Sequence, residues 1–491
     1  MKKMKKLLTL TAMFAGLTLV VGCNEQAPTG GQTDDGKITI LFDSQFGSDM
    51  EGRLRAFTEA FNKSQDEITV VYNKISGDYN GIFTHERTEI NSATNLQGDI
   101  VTCYPDHIPD YINLGKAVKL DKFINDPEVG LSEAQMKNYV KPAQDEFETV
   151  YPRPGIFTMP WAVSTEALYF NEDILGIQIE GINGNNPIDL DYLNSLTWEE
   201  IFGTTDNPGF AQKVLDYNDG LAANEKILDT SKSTYSVFGY SSDDNLFITM
   251  LEQYGYDYTS VNNTTHIGSF DFNNANVKGL MKKLRQYKQS HYLITNGSNN
   301  DSTITDLMGS KQLLFCIAST GGSTYQVKAA EKAGFTMGVA RLPQAAGKEN
   351  KLISQGGSFC ILSHTGEDNE ARQLAAWKFY KYLLSVSNCA IWATQTGYAP
   401  LLESVKSSEA WLGYIKTEGK TGSPLLKAKI ATYFSTYADY LFTSPVFKGS
   451  SEARVQAGGV VKQILSEDSL SDEDIDTIFE DAINNCKLAQ K

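Results

Sequence analysis

Residues 155–171 read GIFTMPWAVSTEALYFN: a short apolar approach through Ile156 and Phe157 reaches Met159-Pro160-Trp161, and a run of apolar and small polar residues then leads to Tyr169, Phe170 and Asn171. Pro160 cannot donate to a β ladder and holds its neighbour extended, so the approach is expected as an edge strand. The chain then passes through a crossover into a second strand that ends at Tyr169, Phe170 and Asn171. Trp161 stands at that crossing, where a tryptophan serves either as a core residue or as a platform for a ligand.

The segments on either side supply the layers. KITILF at 37–42 reads as a strand, 52–64 as an amphipathic helix with Leu54, Phe57 and Phe61 on one face, and 68–72 as the next strand. This βαβ order implies a parallel sheet. A helix over 85–93, a strand at 98–102 and a helix at 106–114 continue the alternation. From Leu168 a second lobe begins. Thr197 caps a helix with Glu199 and Glu200 in its first turn, helices are expected at 243–254 and 273–287, and a buried strand at 311–318 runs into a small turn at 319–323. Strands at 338–342 and 357–362 and helices at 370–384 and 388–395 lead to a mostly helical C-terminal third. Strands drawn from both halves of the chain require several crossings, so the expected architecture is an α/β clam-shell with a hinge. The expected division puts 37–162 and 310–357 in one lobe and 163–309 and 358–491 in the other.

The N-terminus bears on location. Residues 1–22 carry Lys2, Lys3, Lys5 and Lys6, an apolar run from Leu7 to Val21 and a small Gly22, the three parts of an export signal, too short and wrongly flanked for a spanning helix. Val20-Val21-Gly22-Cys23 resembles the lipobox of bacterial lipoproteins, which implies that Cys23 is lipidated and becomes the first mature residue; an ordinary secretory peptide is the alternative. Residues 23–36 have almost nothing to bury and read as a flexible tether. The signal holds four lysines and no acid, so its removal takes the formal charge from -17 to -21. A surface this acidic repels polyanions, which argues against nucleic acid as a partner. Cys103, Cys316, Cys360, Cys389 and Cys486 are odd in number and lack short spacings, and three lie in apolar strands, so neither a metal nor a disulfide framework is expected, a single bridge being the alternative in an exported protein.

The order of these signals resembles the extracellular solute-binding proteins of bacterial ABC importers, the large carbohydrate-binding group that includes maltose-binding protein. The stretches that carry it are KITILF, GDIVTCYPDHIPDYINLGKAVKLDKFI, IFTMPWAVSTEALYFNEDIL, LTWEEI, SKQLLFCIAS, QGGSFCILS and AAWKFYKYLLSVSNCAIWATQTGYAPL. The resemblance implies a two-lobe, type II periplasmic-binding fold. It implies a monomer, exported and lipid-anchored to the outer face of the cell membrane, with ABC permease subunits as partners and no cofactor. Asp106 and His107 fall where the family places polar side chains in the cleft, Asp43 and Gln45 in another ligand-facing loop, and Trp392 and Tyr398 where aromatic rings stack on a sugar. Gly98 replaces the family's usual proline, and Cys103 stands where the maltose binder has tryptophan.

A sugar presents hydroxyls at its rim and C–H surface on its faces, so its site needs carboxylates, amides, hydroxyls and aromatic plates. Asp43, Gln45, Tyr79, Asp106, Trp161, Ser164, Thr320, Ser358, Trp392 and Tyr398 meet that need, while Gly321 and Gly357 mark either close backbone approaches or ordinary turns. The five histidines show no metal-ligand spacing, and no nucleophile elbow, phosphate loop or dinucleotide fingerprint is present. The chain is therefore expected to be a receptor with no catalytic residues. A glycerol phosphate or another polyol phosphate, met by Arg153, Arg341 or Arg454, is the alternative ligand, and an exported glycan-acting enzyme or adhesin the alternative class.

Overall fold

Strand pairing in the computed structural model divides the chain between two main sheets. The described residues are 30–32, 36–92, 95–149, 151–204, 206–262, 264–299 and 303–491. The signal segment, Cys23 and most of the tether lie outside them. Among the described residues no helix is long and apolar enough to cross a membrane.

The first sheet is founded on the expected βαβ unit. Ile38–Ser44 pairs in parallel with Ile68–Lys74 and with Ile100–Cys103. The helix between the first two, Ser48–Ser64, buries Leu54, Phe57 and Phe61 on one face. Gln355–Ile361 lies antiparallel between Ile100–Cys103 and the edge strand Met159–Ser164. Pro160 is thus at an edge, where its missing donor costs no ladder bond. Gly31–Gln32, expected within the tether, instead pairs antiparallel with Ile38 and Thr39.

After Thr165 the chain enters the second sheet. Its order is Leu293–Thr295, Ser236–Tyr240, Leu313–Ser319, Glu166–Asn171 and Met337–Ala340. Phe170, Phe210, Phe238 and Phe315 form part of the core on this side, with Phe238 and Phe315 stacked at 4.7 Å. Helix ends follow local chemistry: Thr197 and Glu200 form a capping box on Trp198–Phe202, and Asp243–Tyr254 ends at Gly255 with φ 70°.

The pairing corrects the expected division. Leu313–Ser319, placed with the first lobe by the 310–357 assignment, pairs with Glu166–Asn171 and Ser236–Tyr240 in the second sheet. Gln355–Ile361 pairs with Ile100–Cys103 and Met159–Ser164 in the first sheet, and the helices Asn369–Leu383 and Val386–Thr396 pack on the same side, against Ile38–Ser44 and Ser48–Ser64. A buried apolar strand such as LLFCIAS suits either sheet, so only its hydrogen-bonded neighbours decide where it belongs. The expected helix over 85–93 is Tyr79–Asn91, started earlier by Asp78, whose carboxylate accepts from the Gly81 amide at 2.9 Å. Cys103, Cys316, Cys360, Cys389 and Cys486 are buried and free.

Candidate ligand-binding cleft

A cleft of about 900 Å³, including space open to solvent, lies between the two sheets where the chain crosses. The first side supplies Tyr104, Pro105 and Asp106 from the turn after Ile100–Cys103, Glu146 from the helix Lys141–Phe147, and Trp161 and Ala162 from the edge strand. The second side supplies Asn245 from Asp243–Tyr254, Tyr258 and Thr259, the loop at 443–446, and Arg454 from the helix Ser450–Ser466. Gln355, Gly356 and Gly357 form the floor, where the ladder to Met159–Ser164 slips register at Gly357 and Ser358. An alanine methyl at 357 would stand 1.8 Å from the Tyr79 hydroxyl, so glycine is required there by a close approach.

Arg454 spans the opening. Its Nε donates to Asp106 Oδ2 at 3.2 Å, and its Nη1 donates to Asp244 Oδ2 at 3.0 Å and to Asn245 Oδ1 at 2.8 Å. The guanidinium also lies 5.8 Å from the Tyr104 ring. Two carboxylates therefore balance and exceed its charge. Asn245 continues the network to Glu166 at 3.3 Å, and the Tyr240 hydroxyl donates to the same carboxyl. Burial pushes Glu166 up to about 8, a rise its hydrogen bonds reduce only in part. Desolvation likewise takes Glu146 up to about 7, while the hydrogen bond from Ser358 Oγ at 2.6 Å opposes it.

Of the residues expected from sequence, Asp106, Trp161 and Gly357 line this cleft. Tyr79 sits one layer behind, stacked on Tyr104 at 3.9 Å, and Ser358 reaches the wall only through Glu146. Trp161 is 1% exposed, packed at 5.6 Å from Phe359 and 5.1 Å from Trp392, so it serves both core and wall. The remaining candidates lie elsewhere. Trp392 and Tyr398 stack on each other at 5.5 Å inside an aromatic cluster with Phe46, and Gly321 abuts Tyr398. His107 is buried, stacked on Phe83 at 4.3 Å, and burial lowers its pKa. Gln45 accepts from Thr102 Oγ1, Ser164 Oγ donates to the Gln355 carbonyl at 3.2 Å, and Thr320 Oγ1 accepts from the Thr165 amide at 3.2 Å, which makes the last two parts of the crossing. Asp43 is buried beside Glu86, away from the cleft wall.

Sequence reading missed Tyr104, Glu146, Asn245 and Tyr258 and named Arg454 only for a phosphate. Tyr104-Pro105 directly precedes Asp106 at a strand end, a signal that was available. Glu146 and Tyr258 carry no comparable mark.

Two α/β lobes joined by strand crossings, with a polar and aromatic cleft between them, define a two-lobe type II periplasmic-binding fold. The chain belongs to the bacterial extracellular solute-binding protein family, which it matches over residues 56–417. The GacH receptor of Streptomyces glaucescens, solved unliganded and with acarbose, shares the fold at 14% identity and a TM-score of 0.64, over 92% of this chain and 98% of that one. MalE of Bdellovibrio bacteriovorus bound to maltotriose gives 13% identity and 0.63 over 92% and 99%. UgpB of Mycobacterium tuberculosis with glycerophosphocholine gives 16% and 0.64 over 92% and 98%. An uncharacterized lipoprotein of Mycoplasma pneumoniae is 25% identical over 177 residues, 35% of this chain and only 21% of that protein's length.

Proposed function

We propose that this protein is the membrane-tethered receptor of an ABC importer, capturing a neutral carbohydrate between its lobes and presenting the closed form to a permease. The observation that carries this reading is the cleft's pairing of aromatic walls, from Tyr104, Trp161 and Tyr258, with a polar rim of Asp106, Asn245 and Arg454 in which carboxylates already neutralise the guanidinium. Rings offer faces to C–H surface and the rim offers donors and acceptors to hydroxyls. Relatives of the same fold bind maltotriose and acarbose, which supports a sugar. Cys23 is the proposed lipid attachment point, and the proposed lobes are 37–164 with 355–414 and 166–340 with 422–491.

Ligand that touches both lobes favours the closed state because its affinity for that state is greater. Transport needs affinity near the micromolar range, about -8 kcal/mol, tight enough to collect and weak enough to release. Arg454 also favours a second reading, a phosphodiester or phosphate of a polyol. Against it, Asp106 and Asp244 already hold that guanidinium, so an anion would enter beside two carboxylates.

Calorimetric titration with maltotriose, glycerol 3-phosphate and glycerophosphocholine separates the readings. Saturable one-to-one sugar binding without product is expected. Binding of a phosphorylated polyol alone would replace the sugar reading, and turnover of a glycan would replace the receptor reading.

A further inference from the structure

On the first lobe, away from the cleft wall, the helix Tyr79–Asn91 brings His85 and Glu86 to Asp43, near the end of the strand Ile38–Ser44. One ring nitrogen of His85 and one carboxylate oxygen from each of Asp43 and Glu86 all lie within 4.8 Å of one another. Asp43 is 1% exposed and Glu86 0%. No hydrogen bond of ordinary geometry reaches either oxygen of Asp43 or Oε1 of Glu86 among the described residues, although the Asn73 side chain faces Asp43 from the paired strand, while Oε2 of Glu86 accepts from the Gly98 amide at 2.9 Å.

Two dry carboxylates side by side are unfavourable unless a positive charge lies between them. A shared proton would supply one. A cation would also explain why an imidazole reaches the same point, since one histidine and two carboxylates are a three-ligand set for a zinc-class ion, with a further position left for water. Calcium, which prefers oxygen throughout, suits the histidine less well. With a neutral ring, the two carboxylates balance a divalent charge.

We propose that Asp43, His85 and Glu86 form a structural site for a divalent transition ion of the zinc class. The ion would fasten the helix to the strand. Because Tyr79 begins that helix and stacks on Tyr104, a loaded site would also stiffen one wall of the cleft. The proposal is independent of which solute the cleft binds.

The purified chain, dialysed against EDTA and then metal-free buffer, is titrated with ZnCl2 and separately with CaCl2, with heat and Tm as readouts. One equivalent of Zn2+ is expected to bind and to raise Tm with concentration. His85 is only half-buried, so His85→Ala should fold and keep its metal-free Tm while binding Zn2+ more than about tenfold more weakly. Three results would each overturn the site: no saturable Zn2+ binding, equal affinity in His85→Ala, or binding of Ca2+ alone. Glu86→Gln that stabilises the metal-free chain, with no Zn2+ bound by the wild type, would identify a shared proton instead.

Discussion

Trp161 shows how one side chain can belong to a core and to a cleft. Its ring packs against Phe359 and Trp392 and its edge strand forms the wall. Trp161→Ala is expected to cost about 3–5 kcal/mol of stability through the cavity it leaves, read from urea midpoints. Ligand affinity should also fall by roughly 1–3 kcal/mol; an unchanged Kd would leave it a core residue only. Glu166 gives a pH dependence. Burial raises its carboxyl from 4.5 to about 8, so across that window the folded chain keeps a proton the unfolded chain has released. Stability from this group is full below pH 4.5 and falls as pH rises towards about 8. Glu166→Gln should flatten that fall in urea midpoints measured through the window, and an unaltered slope would reject the assignment.

At the scale of elements, the helix Asn369–Leu383 is fixed to the first sheet by a buried ion pair. Arg372 donates through Nε to Asp99 Oδ1 at 2.7 Å and through Nη2 to Oδ2 at 2.8 Å, and the Leu41 amide donates to Oδ2 at 2.8 Å. Burial alone would raise the Asp99 pKa, but hydrogen bonds and charge from His364 and Arg372 reverse that and hold it below the usual carboxylate range. Arg372→Met would leave the buried Asp99 with only His364 and the Leu41 amide as partners, at an expected cost of about 3–5 kcal/mol; a loss under about 1 kcal/mol in chemical denaturation would show the pair to be marginal. The helix itself was legible from its periodicity. Its anchoring was not, because Arg372 looks like any exposed cation until Asp99, far away in sequence, is brought beneath it.

For the whole molecule, the contact that matters is the one between Asp106 of the first lobe and Arg454 of the second, at 3.2 Å. The pair joins the two sides of the cleft, so in the proposed receptor it would favour their closed arrangement. Asp106→Asn should weaken that contact, so small-angle scattering is expected to give a larger radius of gyration without ligand, and a saturating sugar should restore the smaller one. Identical scattering from the variant and the wild type would remove the pair from the closing mechanism.

Sequence by itself determined the alternation of strands and helices and the existence of a crossing within residues 155–171, because these are written in local periodicity, caps and proline placement. The two-lobe binding fold was legible through the resemblance of the ordered segments to solute-binding proteins, and the structure sets the crossing at Thr165, past Trp161. Tertiary structure decided which sheet receives Leu313–Ser319 and which aromatic residues face the cleft. Trp392 and Tyr398 satisfy the chemistry of a sugar platform as well as Trp161 does, yet they stack on each other behind the wall. Only the meeting of distant segments separates a ring that lines a cavity from one that fills a core, and no short stretch of chain carries that information.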